Sequence, residues 1–230
     1  MIPQAQKGAT LVIVIDDAGR SAANTKKYAE LPFPISIAVL PSQPQTRECA
    51  DVVVSYGQEL LLHQPMQAVN LSINPGPGAI TAGMAESEIA GIVNKNLDEL
   101  GRGVSGLNNH EGSLITANLS QIGAVLDVCA QRGIYFLDSR TTSATKAPIA
   151  AADRGMRIYE KSGPYIDNVI DRNEMLKQIY ASLDVANKKG KAIIIGHVDK
   201  SVGILPDLLK QMYPYLSEKG YRFSTPSRLP

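Results

Sequence analysis

The residues in this chain best suited to chemistry are the pair Asp16-Asp17, Asp138, and the three histidines His63, His110 and His197. Two adjacent aspartates in water carry no special meaning. These two directly follow the apolar run 11–15, so both stand where a buried strand emerges. A carboxylate there must be paired, hydrogen-bonded or bound to a cation to stay ionised. The histidines are read in the same kind of position. His63 follows the run 59–62, His110 comes three residues after 104–107, and His197 follows 193–195 and one glycine. Asp138 closes the run 134–137.

One carboxylate and two imidazoles form a common ligand set for Zn²⁺ or a related divalent ion, with positions left open for water and substrate. The chain has no HxxxH helix spacing, so such ligands must come from separate strands. A bound ion lowers the pKa of its water toward about 7 and polarises a carbonyl. A second, unligated aspartate can take the proton of that water, and a third histidine can protonate a leaving group. These are the parts of a metal-assisted hydrolysis of an amide or ester. The blander readings are that Asp16 caps a following helix, and that Asn108 and Asn109 only shape the turn presenting His110.

The elements that position these residues follow from the hydrophobic pattern. Short β-rich runs alternate with segments of helical period. Strands are predicted at 11–15, 35–40, 59–62, 104–107, 134–137, 156–159, 192–195 and 221–223. Helices are predicted at 21–31, with Ser21 as N-cap, and at 45–56, 86–100, 118–132, 146–154, 172–189 and 204–219. Residues 64–84, which include Asn74-Pro75-Gly76-Pro77-Gly78, read as one long loop. Repeated βα alternation without hairpin signals argues for a parallel sheet with helices outside it. The expected fold is a single-domain distorted β/α barrel of seven to eight parallel strands, spanning 11–230 after a disordered tail at 1–10. In such a fold all strand C-termini share one face, where active sites sit.

The totals remove several function classes. At 230 residues the chain suits one large domain or two small ones, and no Gly-, Ser- or Pro-rich linker divides it. The formal charge of +1, the absence of Trp and the three Phe give no support to a nucleic-acid surface. No apolar run approaches the roughly 20 residues of a membrane-spanning helix, and residues 1–7 lack the apolar core and cleavage site of a signal peptide. There is no GxGxxG and no Walker loop. Cys49 and Cys129 lack CxxC spacing and read as two buried thiols.

In these segments the sequence resembles the divergent polysaccharide deacetylase family. The matching pieces are Val14-Ile15-Asp16-Asp17-Ala18-Gly19, Ala38-Val39-Leu40-Pro41, His63-Gln64-Pro65-Met66 and Asn108-Asn109-His110-Glu111-Gly112-Ser113. They continue with Phe136-Leu137-Asp138-Ser139-Arg140-Thr141 and Ile195-Gly196-His197. Each piece alone is weak, while the ordered set is specific. The resemblance implies a distorted β/α barrel, one divalent metal ion, most often zinc, and removal of acetyl groups from an N-acetylated glycan. It implies Asp16 as base, Asp17, His63 and His110 as metal ligands and His197 as general acid. Asp138, Arg140 and Asn109 are implied as residues that orient the acid or hold substrate. The substrate class implies a periplasmic or secreted protein whose leader is not in this sequence. The Arg-Pro-Tyr substrate motif of the wider superfamily is not visible, and Gln67 stands where an acid is expected. Two rival readings remain: a catalytically silent protein that keeps the metal pocket to bind glycan or assist envelope assembly, and an amidase or esterase acting on another substrate.

Overall fold

A computed structural model describes residues 2–6 and 8–229. Among the described residues eight strands and eight α-helices alternate, except for two successive helices between the last two strands. The strands are β1 (Thr10–Ala18), β2 (Ser36–Val39), β3 (Glu59–Met66), β4 (Val104–Glu111), β5 (Tyr135–Asp138), β6 (Tyr159–Glu160), β7 (Lys191–His197) and β8 (Arg222–Ser224). The helices are α1 (Ala22–Ala29), α2 (Thr46–Ser55), α3 (Glu86–Leu100), α4 (Leu119–Arg132), α5 (Ala147–Ala152), α6 (Arg172–Lys189), α7 (Val198–Ser201) and α8 (Leu205–Glu218).

Seven parallel strands run in the order β6-β5-β4-β3-β2-β1-β7, and β8 pairs with the first residues of β1. The barrel is nearly closed. Between β6 and β7 the gap is spanned by residues 162–166, where Ser162 and Gly163 donate to Ile193 O at 3.0 Å and Ile166 donates to Ile195 O at 2.8 Å. The distorted β/α barrel expected from the alternation is the fold observed.

The period of two along each strand divides the core into two sets. Leu11, Ile13, Ile15, Ile37, Val39, Leu60 and Leu62 pack outward against the helices. Val12, Val14, Ala38, Leu61, Leu137, Ile193 and Ile195 fill the barrel interior, with Leu229 entering from the chain end. Each fully buried aliphatic side chain contributes about 1.5–3 kcal/mol relative to exposure. Two packed layers therefore supply ample stabilisation to offset a few buried polar groups. The opposite end of the barrel from the histidines holds one such group, Glu59, which accepts from Ser36 Oγ at 2.9 Å, Tyr135 Oη at 2.6 Å and Ser227 Oγ.

Several expected boundaries shift. β3 and β4 do not stop before their histidines but continue through His63 to Met66 and through His110 to Glu111. The reason is that the parallel ladder persists, pairing His63 with Asn108 and Pro65 with His110. Asn108 and Asn109 are thus strand residues, not the shapers of a turn. The strand expected at 156–159 is the two-residue β6. Ser21 caps α1 as expected, its Oγ accepting from Asn24 N. Both cysteines are free and buried. In the stretch read as a tail, Ala5 N donates to Lys219 O and Gln6 N to Asn187 Oδ1, each at 2.8 Å, while Met1 and Lys7 lie outside the described residues.

Candidate metal centre

The strand alternation explains why polar side chains meet at one end of the barrel. Asp16 lies two residues beyond Val14, His63 two beyond Leu61, and His197 two beyond Ile195, so each continues an inward-facing row. β1 and β7 set Asp16 directly beside His197, and β3 and β4 set His63 beside Asn108. In a regular strand Asp17 would then point away from the barrel. Instead its φ is +62°, and the β1–β2 register shifts between Ile15 and Ala18. This bulge turns the second carboxylate back toward the first, a backbone shape that aspartate tolerates better than most residues.

Asp17 Oδ1 lies 3.0 Å from His110 Nδ1 and 3.3 Å from His63 Nε2, and the two nitrogens are 3.1 Å apart. Asp17 Oδ1 is also the one buried side-chain polar atom among the described residues with no hydrogen-bond partner. The three atoms form a compact triangle in which the carboxylate oxygen is aligned with neither imidazole. Two ligands about 2.1 Å from one ion stand about 3.0 Å apart at right angles and about 3.4 Å apart at tetrahedral angles. The observed separations fall in that interval, and two imidazoles with one carboxylate suit Zn²⁺ and its borderline neighbours. The residues fit a divalent ion, and this is the one such group of His, Cys, Asp and Glu among the described residues.

The electrostatics say the same. Burial pushes the Asp17 carboxyl up, but the imidazoles against it outweigh that and hold it well below the usual carboxylate range. Burial pushes His63 down, yet Asp16 and Asp17 outweigh it and lift the imidazole to about 9. The site thus favours a positive charge, which a proton on His63 can supply in place of a metal. Since Nε2 must be unprotonated to ligate, zinc binding below about pH 9 should expel that proton, and affinity should climb as pH rises toward 9. Calorimetric titration in two buffers of different ionisation enthalpy will reveal the released proton. A binding heat independent of buffer would contradict this.

Asp16 sits 2 % exposed beside the triangle, with Oδ2 3.6 Å from His63 Nε2 and Oδ1 accepting from Asn108 Nδ2 at 2.8 Å. Burial pushes its carboxyl up, and the nearby histidines offset this only in part. His197 is held by Asp167, whose two oxygens accept from His197 Nδ1 at 2.8 Å and from its backbone N–H at 2.6 Å. Burial would lower the His197 pKa, but this hydrogen bond together with the charges of Asp16, Asp167 and Asp17 outweighs it and raises it. Tyr165 stacks on the imidazole at 5.8 Å between ring centroids. A cavity of about 170 Å³ opens above these groups, bordered by Asn109, Glu111, Thr141, Asn168 and Lys200 as well.

Asp16, Asp17, His63, His110, His197 and Asn109 thus all meet at this cavity. Asp138 and Arg140 stand apart from it. Asp138 is fully buried and accepts from Arg140 N and Thr145 Oγ1, both at 2.8 Å, while the Arg140 guanidinium pairs with Glu160 at 3.1 Å. They brace the turn after β5, whose Ser139 and Thr141 face the cavity. Asp167 carries no sequence signal of a site role, and Asn108 is marked only as part of the matched piece around His110. Asp167 follows only the short apolar pair Tyr165-Ile166, and no period marks that stretch.

Comparisons with known proteins give the family and the fold. The family model described as divergent polysaccharide deacetylase matches residues 13–230. The chain belongs to that family. Among curated relatives, the Escherichia coli uncharacterized protein YibQ is 34% identical over 188 residues, covering 81% of this chain and 58% of the relative. An uncharacterized Haemophilus influenzae protein is 30% identical over 187 residues, covering 81% of this chain and 66% of its own. The chain therefore spans under two thirds of the length of these relatives. Solved structures share the fold, two of them as follows. The Agrobacterium tumefaciens uncharacterized protein ATU2773 superposes with a TM-score of 0.87 at 19% identity, covering 98% of this chain and 90% of the other. The catalytic domain of a Eubacterium rectale peptidoglycan N-acetylglucosamine deacetylase superposes with a TM-score of 0.54 at 11% identity, covering 98% and 92%. No helix among the described residues is long and apolar enough to cross a membrane.

Proposed function

We propose that this family member is a metal-dependent hydrolase that removes acetyl groups from an N-acetylated glycan, acting in the periplasm or outside the cell. The observation that carries the proposal is the triangle of Asp17 Oδ1, His63 Nε2 and His110 Nδ1 with Asp16 and His197 beside it. Those three residues would hold one divalent ion, zinc by its donor chemistry, which when bound supplies Lewis acidity to a carbonyl oxygen and to water. Asp16, anchored through Oδ1 by Asn108, keeps Oδ2 toward the same space and takes a proton from the attacking water. Its upward-shifted carboxyl is the direction a base working near neutral pH requires. His197 commits Nδ1 to Asp167, which leaves Nε2 to give a proton to the departing amine. The products are acetate and a free amino sugar. The polar rim formed by Asn109, Glu111, Thr141, Asn168 and Lys200 suits a hydroxyl-rich substrate.

The test is acetate release from oligomers of N-acetylglucosamine and from purified peptidoglycan by zinc-loaded protein. Release should stop on chelation and return with added zinc. Fully loaded protein that releases no acetate from either substrate would overturn the glycan reading.

Asp167→Asn tests the acid. Removing the carboxylate takes away the hydrogen bond and charge of Asp167 that help lift the His197 pKa, leaving burial opposed only by Asp16 and Asp17. The basic limb of the pH–rate profile should move to lower pH, with zinc content unchanged. An unmoved basic limb would assign the proton donor elsewhere.

A further inference from the structure

Asn108 is fully buried at the level of the site but is neither a candidate ligand nor part of the cavity wall. The ladder places it beside His63 on β3 and beside Leu137 on β5. Its Nδ2 donates to Asp16 Oδ1 at 2.8 Å and to Ser139 Oγ at 3.3 Å, and its Oδ1 lies 2.8 Å from His63 Nδ1. Chemistry fixes the direction of this amide. An ionised carboxylate has no proton to give, so only the NH₂ group can face Asp16. The carbonyl oxygen must then face His63, and it only accepts, so His63 Nδ1 carries the proton. Once Nε2 loses its proton to make way for a metal, its lone pair faces the side where Asp17 Oδ1 and His110 Nδ1 gather, at 3.3 and 3.1 Å.

We infer that Asn108 is the positioning residue that joins metal ligand to base: one amide locks His63 in the tautomer that ligates through Nε2 and ties Asp16 to the same frame. The inference rests on the metal-site reading above. A carboxamide serves both neighbours because it offers a donor and an acceptor on one rigid planar group. Aspartate at 108 would keep the acceptor for His63 but set a second carboxylate against Asp16. Leucine would leave His63 Nδ1 and Asp16 Oδ1 unpartnered in a buried place, which is costly.

The first measurement reads the wild-type site directly. In zinc-loaded protein with heavy-nitrogen histidine, a long-range proton–nitrogen correlation resolves the three imidazoles, and a parallel spectrum of His197→Ala assigns one of them. His63 should show a protonated, slowly exchanging Nδ1 and a metal-bound Nε2. Ligation through Nδ1, or a fast-exchanging Nδ1 proton, overturns the inference while leaving the hydrolase reading intact. The second measurement is zinc affinity. Outer partners of ligating histidines typically govern affinity by roughly 10- to 100-fold, and Asn108→Leu should weaken zinc by that factor. Asn108→Asp should retain wild-type affinity or exceed it, since its carboxylate still accepts from Nδ1. Equal loss in both variants, or no loss in Asn108→Leu, overturns it as well. A wild-type protein that takes up no zinc fails both readings together, an outcome distinct from the others.

Discussion

Asp16→Asn should leave a folded protein that binds zinc and releases essentially no acetate. The substitution is isosteric, and the new side chain can still accept from Asn108 Nδ2 through its Oδ1, so the contact anchoring the position survives. It also removes a charge from a buried place, where burial already pushes the carboxyl toward its neutral form. Stability should therefore hold or rise. What disappears is the capacity to accept a proton from water, and general-base assistance is typically worth about 10²–10⁴-fold in rate. Single-turnover acetate release beside zinc titration separates the two effects. Wild-type turnover in this variant would remove Asp16 from the chemistry. A parallel loss of zinc would instead make it a support of the metal site.

The second large effect is expected from His110→Ala. His110 is the more accessible of the two imidazoles at the triangle, with a side chain 22% exposed against 3% for His63. Its truncation opens onto the cavity and should disturb the core little. Two ligands then remain of three, and zinc affinity should fall by more than the roughly 100-fold upper range seen when only an outer partner is lost. Ligand binding stabilises the folded state by about 2.7 kcal/mol at a hundredfold excess over Kd. Zinc should accordingly raise the thermal midpoint of wild type and leave that of His110→Ala unmoved. Equal shifts in both proteins would rule His110 out as a ligand. Elemental analysis after dialysis measures the same loss directly, with about one ion per wild-type chain expected from the single cluster among the described residues.

The sequence by itself determined the barrel and the cast of the site. Aliphatic runs such as 11–15 and 193–195 read as strands buried on both faces, and the helical segments between them favour parallel pairing. Parallel pairing brings every strand C-terminus to one face, so the acids and histidines at those ends had to converge. What the tertiary structure decided are features that depend on several strands at once. The bulge that turns Asp17 beside Asp16 comes from a register shift against β2, while the local sequence reads as a plain strand end. β3 and β4 run past their histidines because each finds its ladder partner in the other. Asp138 fits the spacing of a site residue, but its oxygens are taken up by Arg140 N and Thr145 Oγ1. The carboxylate on His197 is Asp167, delivered by the aperiodic segment that bridges the gap between β6 and β7. Asn108 meets His63 through the β3–β4 ladder, but it meets Asp16 only through the curvature of the barrel, which brings a β1 side chain 92 residues away within 2.8 Å. Hydrophobic period fixes which way a side chain faces along its own strand, whereas hydrogen-bond partners across a barrel are set by register and curvature, which period does not encode.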